Sequence, residues 1–143
     1  MSTPPEVVVG NATSHVLMRP LVRGDPEDDW LTTEVEIVIG GFRGNLRADF
    51  LAGDFESFRR QLQSLYQTLR GVATFSTIED QLEMTLTADR QGQVEVTGVA
   101  RDAVVTGNVL NFRFNIDQTY LPPIIGSLGA VCERFPVVGE RRS

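Results

Sequence analysis

The chain has one cysteine, Cys132, and one histidine, His15. A single cysteine excludes an intramolecular disulfide and suits a reducing cytoplasm, the expected location. A zinc site draws about four ligands from Cys, His and carboxylates, which these residues supply poorly. A Cys–His nucleophile pair would have to be these two. Cys132 falls on the apolar stripe of a helical stretch, where a small buried hydrophobe is ordinary. His15 opens a strand. No apolar run approaches the roughly 20 residues that span a bilayer, so no membrane association is expected. The opening Met1 to Glu6 lacks the basic-then-apolar order of a secretory signal. The formal charge of −6 argues against nucleic acid, which needs clustered basic residues, and is compatible with a basic protein partner. Gly40-Gly41 joins two strands and does not run into a helix, so there is no phosphate loop. Asp25, Glu27, Asp28 and Asp29 lack the spacing and closing Glu of a calcium loop. No catalytic residue, cofactor or metal is expected.

What is present is periodicity. Asp54 to Gly71 places Phe55, Phe58, Leu62, Leu65, Tyr66 and Leu69 at three- and four-residue spacing, an amphipathic helix. Asp54 is its expected cap and Gly71 its left-handed stop. A second helix is expected near Leu121, with Leu121 as its N-cap, Pro122 and Pro123 in its first turn and a stripe of Ile124, Ile125, Leu128, Val131, Cys132 and Phe135. Elsewhere the period is two. Val7 to Val9 is a short strand or a first ordered contact. His15 to Val22 reads as a strand, and Pro20, which cannot donate to a ladder, places it at an edge or ends it there. Arg23 to Asp29 reads as a solvated acidic loop, followed by Trp30 and Leu31 as an anchor. Its Arg23-Gly24-Asp25 tripeptide reads as a chance turn.

Glu34 to Ile39 and Phe42 to Leu51 form a hairpin about Gly40-Gly41. After the helix come Ala73 to Phe75, then Gln81 to Ala88 with Gln81, Glu83, Thr85 and Thr87 outward. Gln93 to Asp102 and Val109 to Asp117 follow, the last alternating Leu110, Phe112, Phe114 and Ile116 with polar residues. Such alternation marks sheet buried on one face and wet on the other, and short turns make neighbours antiparallel. The expected fold is α+β: a single antiparallel meander of about six or seven strands with two helices on one face. Residues 1–143 form one domain, with an ordered core of about 7–135 and loose ends. The sequence shows no internal repeat.

Arg43, Arg47, Arg101 and Arg113 fall on the wet face, with Asp117 and Gln118 in the turn before the second helix. These six residues are the candidate interaction surface. Cross-strand ion pairs alone would also explain the charges. For Asp117-Gln118-Thr119-Tyr120, a capping turn is the structural alternative to a binding corner.

Three stretches, taken in order, resemble the WapI-like family of small bacterial proteins. The first holds Gly41-Phe42-Arg43-Gly44, Ala48-Asp49-Phe50 and Asp54-Phe55-Glu56-Ser57-Phe58. The second runs from Leu62 to Leu86, with Leu65-Tyr66-Gln67-Thr68-Leu69-Arg70-Gly71 leading into Ala73 and then Glu79 to Leu86. The third holds Phe112-Arg113-Phe114 and Asp117-Gln118-Thr119-Tyr120-Leu121-Pro122. The resemblance implies a non-enzymatic immunity protein that binds a toxin-like protein and occludes it; it carries over no catalytic residues. A homodimer through a strand edge or the polar face is compatible with the sequence. The alternative function is a sensor or carrier holding a small apolar ligand between sheet and helices, and a hydrolase or isomerase using scattered carboxylates is the third reading.

Overall fold

The structure is a computed structural model, and it describes residues 3–139. The expected single sheet is replaced by two antiparallel sheets of four strands each. In the first, β1 (Val7–Gly10), β2 (Ser14–Arg23), β3 (Trp30–Ile39) and β4 (Phe42–Leu51) lie side by side in chain order. The chain then forms α1 (Ala52–Thr68). The second sheet repeats the plan with β5 (Val72–Phe75), β6 (Leu82–Ala88), β7 (Gln93–Arg101) and β8 (Val109–Asp117). A 3-10 turn, Gln118–Tyr120, leads into α2 (Leu121–Arg134). The architecture is thus a repeat of four strands and a helix, although the residues show none. The break between sheets follows from α1: β4 enters it without a turn, and after the helix β5 pairs with β6 rather than returning to β4.

Each helix packs on the opposite half, α1 against β5 and α2 against β1, and the two helices pack together. The buried faces of both sheets join the helices in one core. At its centre Phe75 meets Phe50, Phe55 and Phe58 with ring centroids 5.2, 5.5 and 5.5 Å away. Leu82 and Met84 are fully buried and Phe112 and Phe114 nearly so, with the last two rings stacked. That packing counts against a ligand cavity among these four residues.

Several local expectations are revised. Helix α1 starts at Ala52, two residues early, and Asp54 caps it from inside by accepting the Leu51 N–H at 2.9 Å. It stops at Leu69, a left-handed non-glycine residue whose N–H bonds to the Leu65 carbonyl. Gly71, also at positive φ, serves the turn into β5. Strand β2 lies inside its sheet rather than at an edge, and it runs past Pro20 to Arg23 rather than ending there. Pro20 is tolerated because β1 reaches only to Met18, and the register with β3 shifts between Pro20 and Val22. Gln81 is 4% exposed rather than outward. Its side-chain amide donates to the Arg101 carbonyl at 3.2 Å and the Arg47 carbonyl at 3.5 Å, so it ties the two sheets together.

The Arg23–Asp29 loop is not simply solvated. Arg23 and Asp29 form an ion pair at 3.0 Å with each side chain 14% exposed. Asp29 also accepts the N–H of Val138 at 2.7 Å and of Gly139 at 3.0 Å, and Arg23 donates to the Pro136 carbonyl. Residues 140–143, placed in a loose tail by the sequence, lie outside the described residues.

Candidate interaction surfaces

The first sheet turns a charged face outward. Alternation along β2, β3 and β4 aligns Arg19, Glu34 and Arg47, which the ladder places opposite one another. Glu34 accepts from Arg19 at 3.0 Å and Arg47 at 3.2 Å, and Arg19 also pairs with Glu6. Arg19 first, and Arg47 after it, hold the Glu34 carboxyl below its ordinary range despite some desolvation. A shallow groove of about 410 Å³ runs over this network, between Leu17, Glu36 and Asn45. Its charges are already mutually satisfied, so as a surface it is polar but nearly neutral.

The six sequence-derived candidates are drawn from both sheets and the turn after β8. Arg43 and Arg47 lie on β4 of the first sheet, and Arg113 on β8 of the second. Arg47 is committed to Glu34, Arg113 lies 3.9 Å from Glu95, and Arg101 donates to the Asp80 carbonyl at 2.8 Å. Asp117 caps the 3-10 turn by accepting the Thr119 N–H at 2.8 Å, the structural alternative for that segment. Hydrogen bonds from the Thr119 hydroxyl and N–H hold its carboxyl below the usual range. The Gln118 N–H donates to the Gly92 carbonyl at 2.8 Å. Among the described residues, Arg43 and Gln118 are the two of these six with neither an ion pair nor a side-chain hydrogen bond.

A feature the sequence reading missed lies where β4 and β8 begin, at corresponding ends of the two halves. There the inner faces of the sheets diverge around a cleft of about 230 Å³. Ile37 and Leu46 line it from the first sheet, Ala100 and Leu110 from the second. Phe42, 68% exposed, and Val109, 53% exposed, stand at its edges. Asp102 and Asn108 are bonded to each other on the β7–β8 loop. Exposed Phe42 was the available signal, since it continues the inward alternation of β4 beyond the residues that bury it.

His15 and Cys132 are not brought into a common site. His15 donates through Nδ1 to the Asn11 carbonyl at 2.8 Å and lies 3.5 Å from Glu36. Cys132 sits half-buried on α2, and burial raises its thiol pKa above the ordinary value. No group of three or more metal-ligating side chains occurs among the described residues. No helix among them is long and apolar enough to cross a membrane.

Residues 8–136 match the immunity protein WapI-like family. The chain belongs to that family. This agrees with the resemblance carried by the hairpin, helix and final-strand segments. No curated protein matches at a significant level. Among solved structures, one titled "Crystal structures of trypanosoma bruciei MRP1/MRP2" is similar at a TM-score of 0.51 and 12% identity, covering 92% of this chain and 86% of that one. At that identity the likeness concerns the fold alone: the WapI-like chain shares its arrangement of two sheets and two helices with a protein of very different sequence.

Proposed function

We propose that this WapI-like protein is a non-enzymatic, cytoplasmic immunity protein that binds a toxin and occludes its working surface. The observation that carries this reading is the family match over residues 8–136. The physical features are consistent with it. Both sheets are pinned to each other by Gln81 and to α1 by an aromatic cluster, giving a preorganised surface. A rigid binder loses little conformational entropy on association, which favours tight occlusion.

The test is co-expression of this chain with toxic C-terminal domains encoded beside it in its own host and in close relatives. Survival of cells carrying one such domain, with recovery of a stoichiometric complex, is the expected result. Cells that die at the rate of a no-immunity control for every domain tested would refute the reading. An apolar-ligand carrier is not supported at the place the sequence suggested, because the core there is filled.

A further inference from the structure

The cleft between the diverging sheets combines three features that no intramolecular role explains. Its walls are mainly apolar, formed by Ile37, Leu46, Ala100 and Leu110, with Asn45, Asp102 and Asn108 completing the lining and the Asp102 carboxylate already taken up by Asn108. It is kept open by a missing side chain: Gly44 pairs with Ile37 on the inner face, yet a Cβ built there meets nothing within 4 Å. Gly44 does not have a left-handed φ, so its backbone does not require glycine. Finally, exposed Arg43 lines the same cleft with no ion pair or side-chain hydrogen bond among the described residues, while neighbouring Arg47 is paired.

A volume of about 230 Å³ falls below the roughly 300–1,000 Å³ usual for sites that enclose a drug-sized ligand. It suits one large side chain inserted as an anchor, the arrangement that concentrates binding energy at protein interfaces. An unpaired guanidinium beside such a pocket complements a carboxylate. We infer that the cleft receives one aromatic or branched aliphatic side chain of a protein partner, and that an acidic residue next to this anchor pairs with Arg43. The inference rests on the immunity reading for the kind of partner, and on the cleft for its chemistry.

Random peptides displayed on phage, selected on the immobilised full chain, provide the probe. Enriched peptides are expected to share an apolar anchor with a neighbouring Asp or Glu. Gly44→Leu fills the cleft from its own floor and should weaken a selected peptide about tenfold or more. Arg43→Gln should weaken it about two- to fivefold, as expected for an exposed ion pair, and this loss should shrink in high salt. Unchanged melting and circular dichroism would show that both variants remain folded. Peptides that bind Gly44→Leu as well as wild type would overturn the assignment, as would anchors without an acidic neighbour. Two further results would also overturn the protein-partner assignment. One is wild-type dimerisation in sedimentation velocity that Gly44→Leu abolishes, which gives the cleft to a second copy. The other is binding of 3-phenylpropionate without any peptide enrichment, which gives it to small organic acids. Failure of the two readings is separable: protection of cells that Gly44→Leu retains refutes the cleft, whereas absence of wild-type protection refutes the immunity role.

Discussion

Asp29→Ala tests the tie between the first sheet and the segment after α2. The carboxylate receives the Arg23 guanidinium and the N–H groups of Val138 and Gly139, all within 3.0 Å. Hydrogen bonds to a charged group contribute about 1.5–3 kcal/mol each, and removing one partner of a fully buried pair costs about 3–5 kcal/mol. The pair is 14% exposed on each side, and the freed N–H groups at the chain end can reach water. We therefore expect a net loss of about 2–3 kcal/mol, toward the low end of that range. For a chain of this size the melting temperature should fall by about 6–12 °C.

The pH dependence supplies a sharper check. Burial alone would raise the Asp29 pKa, but the Val138 and Gly139 N–H groups and Arg23 outweigh it and lower it. The stabilisation is therefore complete above the unfolded carboxyl's pKa, about 3.9, and is lost as pH falls through the lower folded value. Urea denaturation of wild type, Asp29→Ala, Arg23→Ala and the double variant at pH 6 and near pH 3 measures both effects. The gap between wild type and Asp29→Ala should narrow at the acidic end. A loss under about 0.5 kcal/mol at pH 6, the ordinary scatter of surface substitutions, would refute the reasoning. So would a gap that does not change with pH.

Three other outcomes follow from the packing. Gly98→Ala places a Cβ 2.3 Å from Phe112 Cζ and 2.6 Å from the Glu83 carbonyl oxygen; it should destabilise by about 1–3 kcal/mol in chemical denaturation. Because one obstacle is backbone, shortening Phe112 in the same chain should restore only part of this loss. Phe75→Ala removes the centre of the aromatic cluster and should cost about 3–5 kcal/mol, read as a lower urea midpoint. Gly126→Ala, on an exposed part of α2 where a Cβ meets nothing, should raise stability by about 0.8–1 kcal/mol in the same assay.

Much of the fold is legible because alternation is a local property. Leu82, Met84 and Leu86 on β6, and Phe112, Phe114 and Ile116 on β8, are buried where their period places them. Partition into two sheets is not local. Whether β5 joins β4 or β6 depends on where α1 delivers the chain, and Val72–Phe75 is too short to declare its partner. Gln81 misleads for a related reason: its polarity and phase both say outward, but its partners lie 20 and 34 residues away. Asp29 looks like one more solvated acid because the N–H groups that bury it are over 100 positions downstream. The cleft escapes notice for yet another reason. It consists of a side chain that Gly44 lacks, and a sequence pattern marks the residues that fill space better than the space itself.

The crossed placement of the helices constrains how the molecule is born. As a nascent chain emerges, β1 to β4 and α1 appear first, but the apolar stripe of α1 needs β5, and β1 waits for α2. Although Phe55 of α1 also meets Phe50 of its own half, each half relies on the other to cover part of its apolar surface, so that surface is fully covered only after α2 has left the ribosome. For a protein proposed to guard its own cytoplasm, the interval between translation and protection would then be set by completion of the whole chain, with no contribution from an early-folding front half.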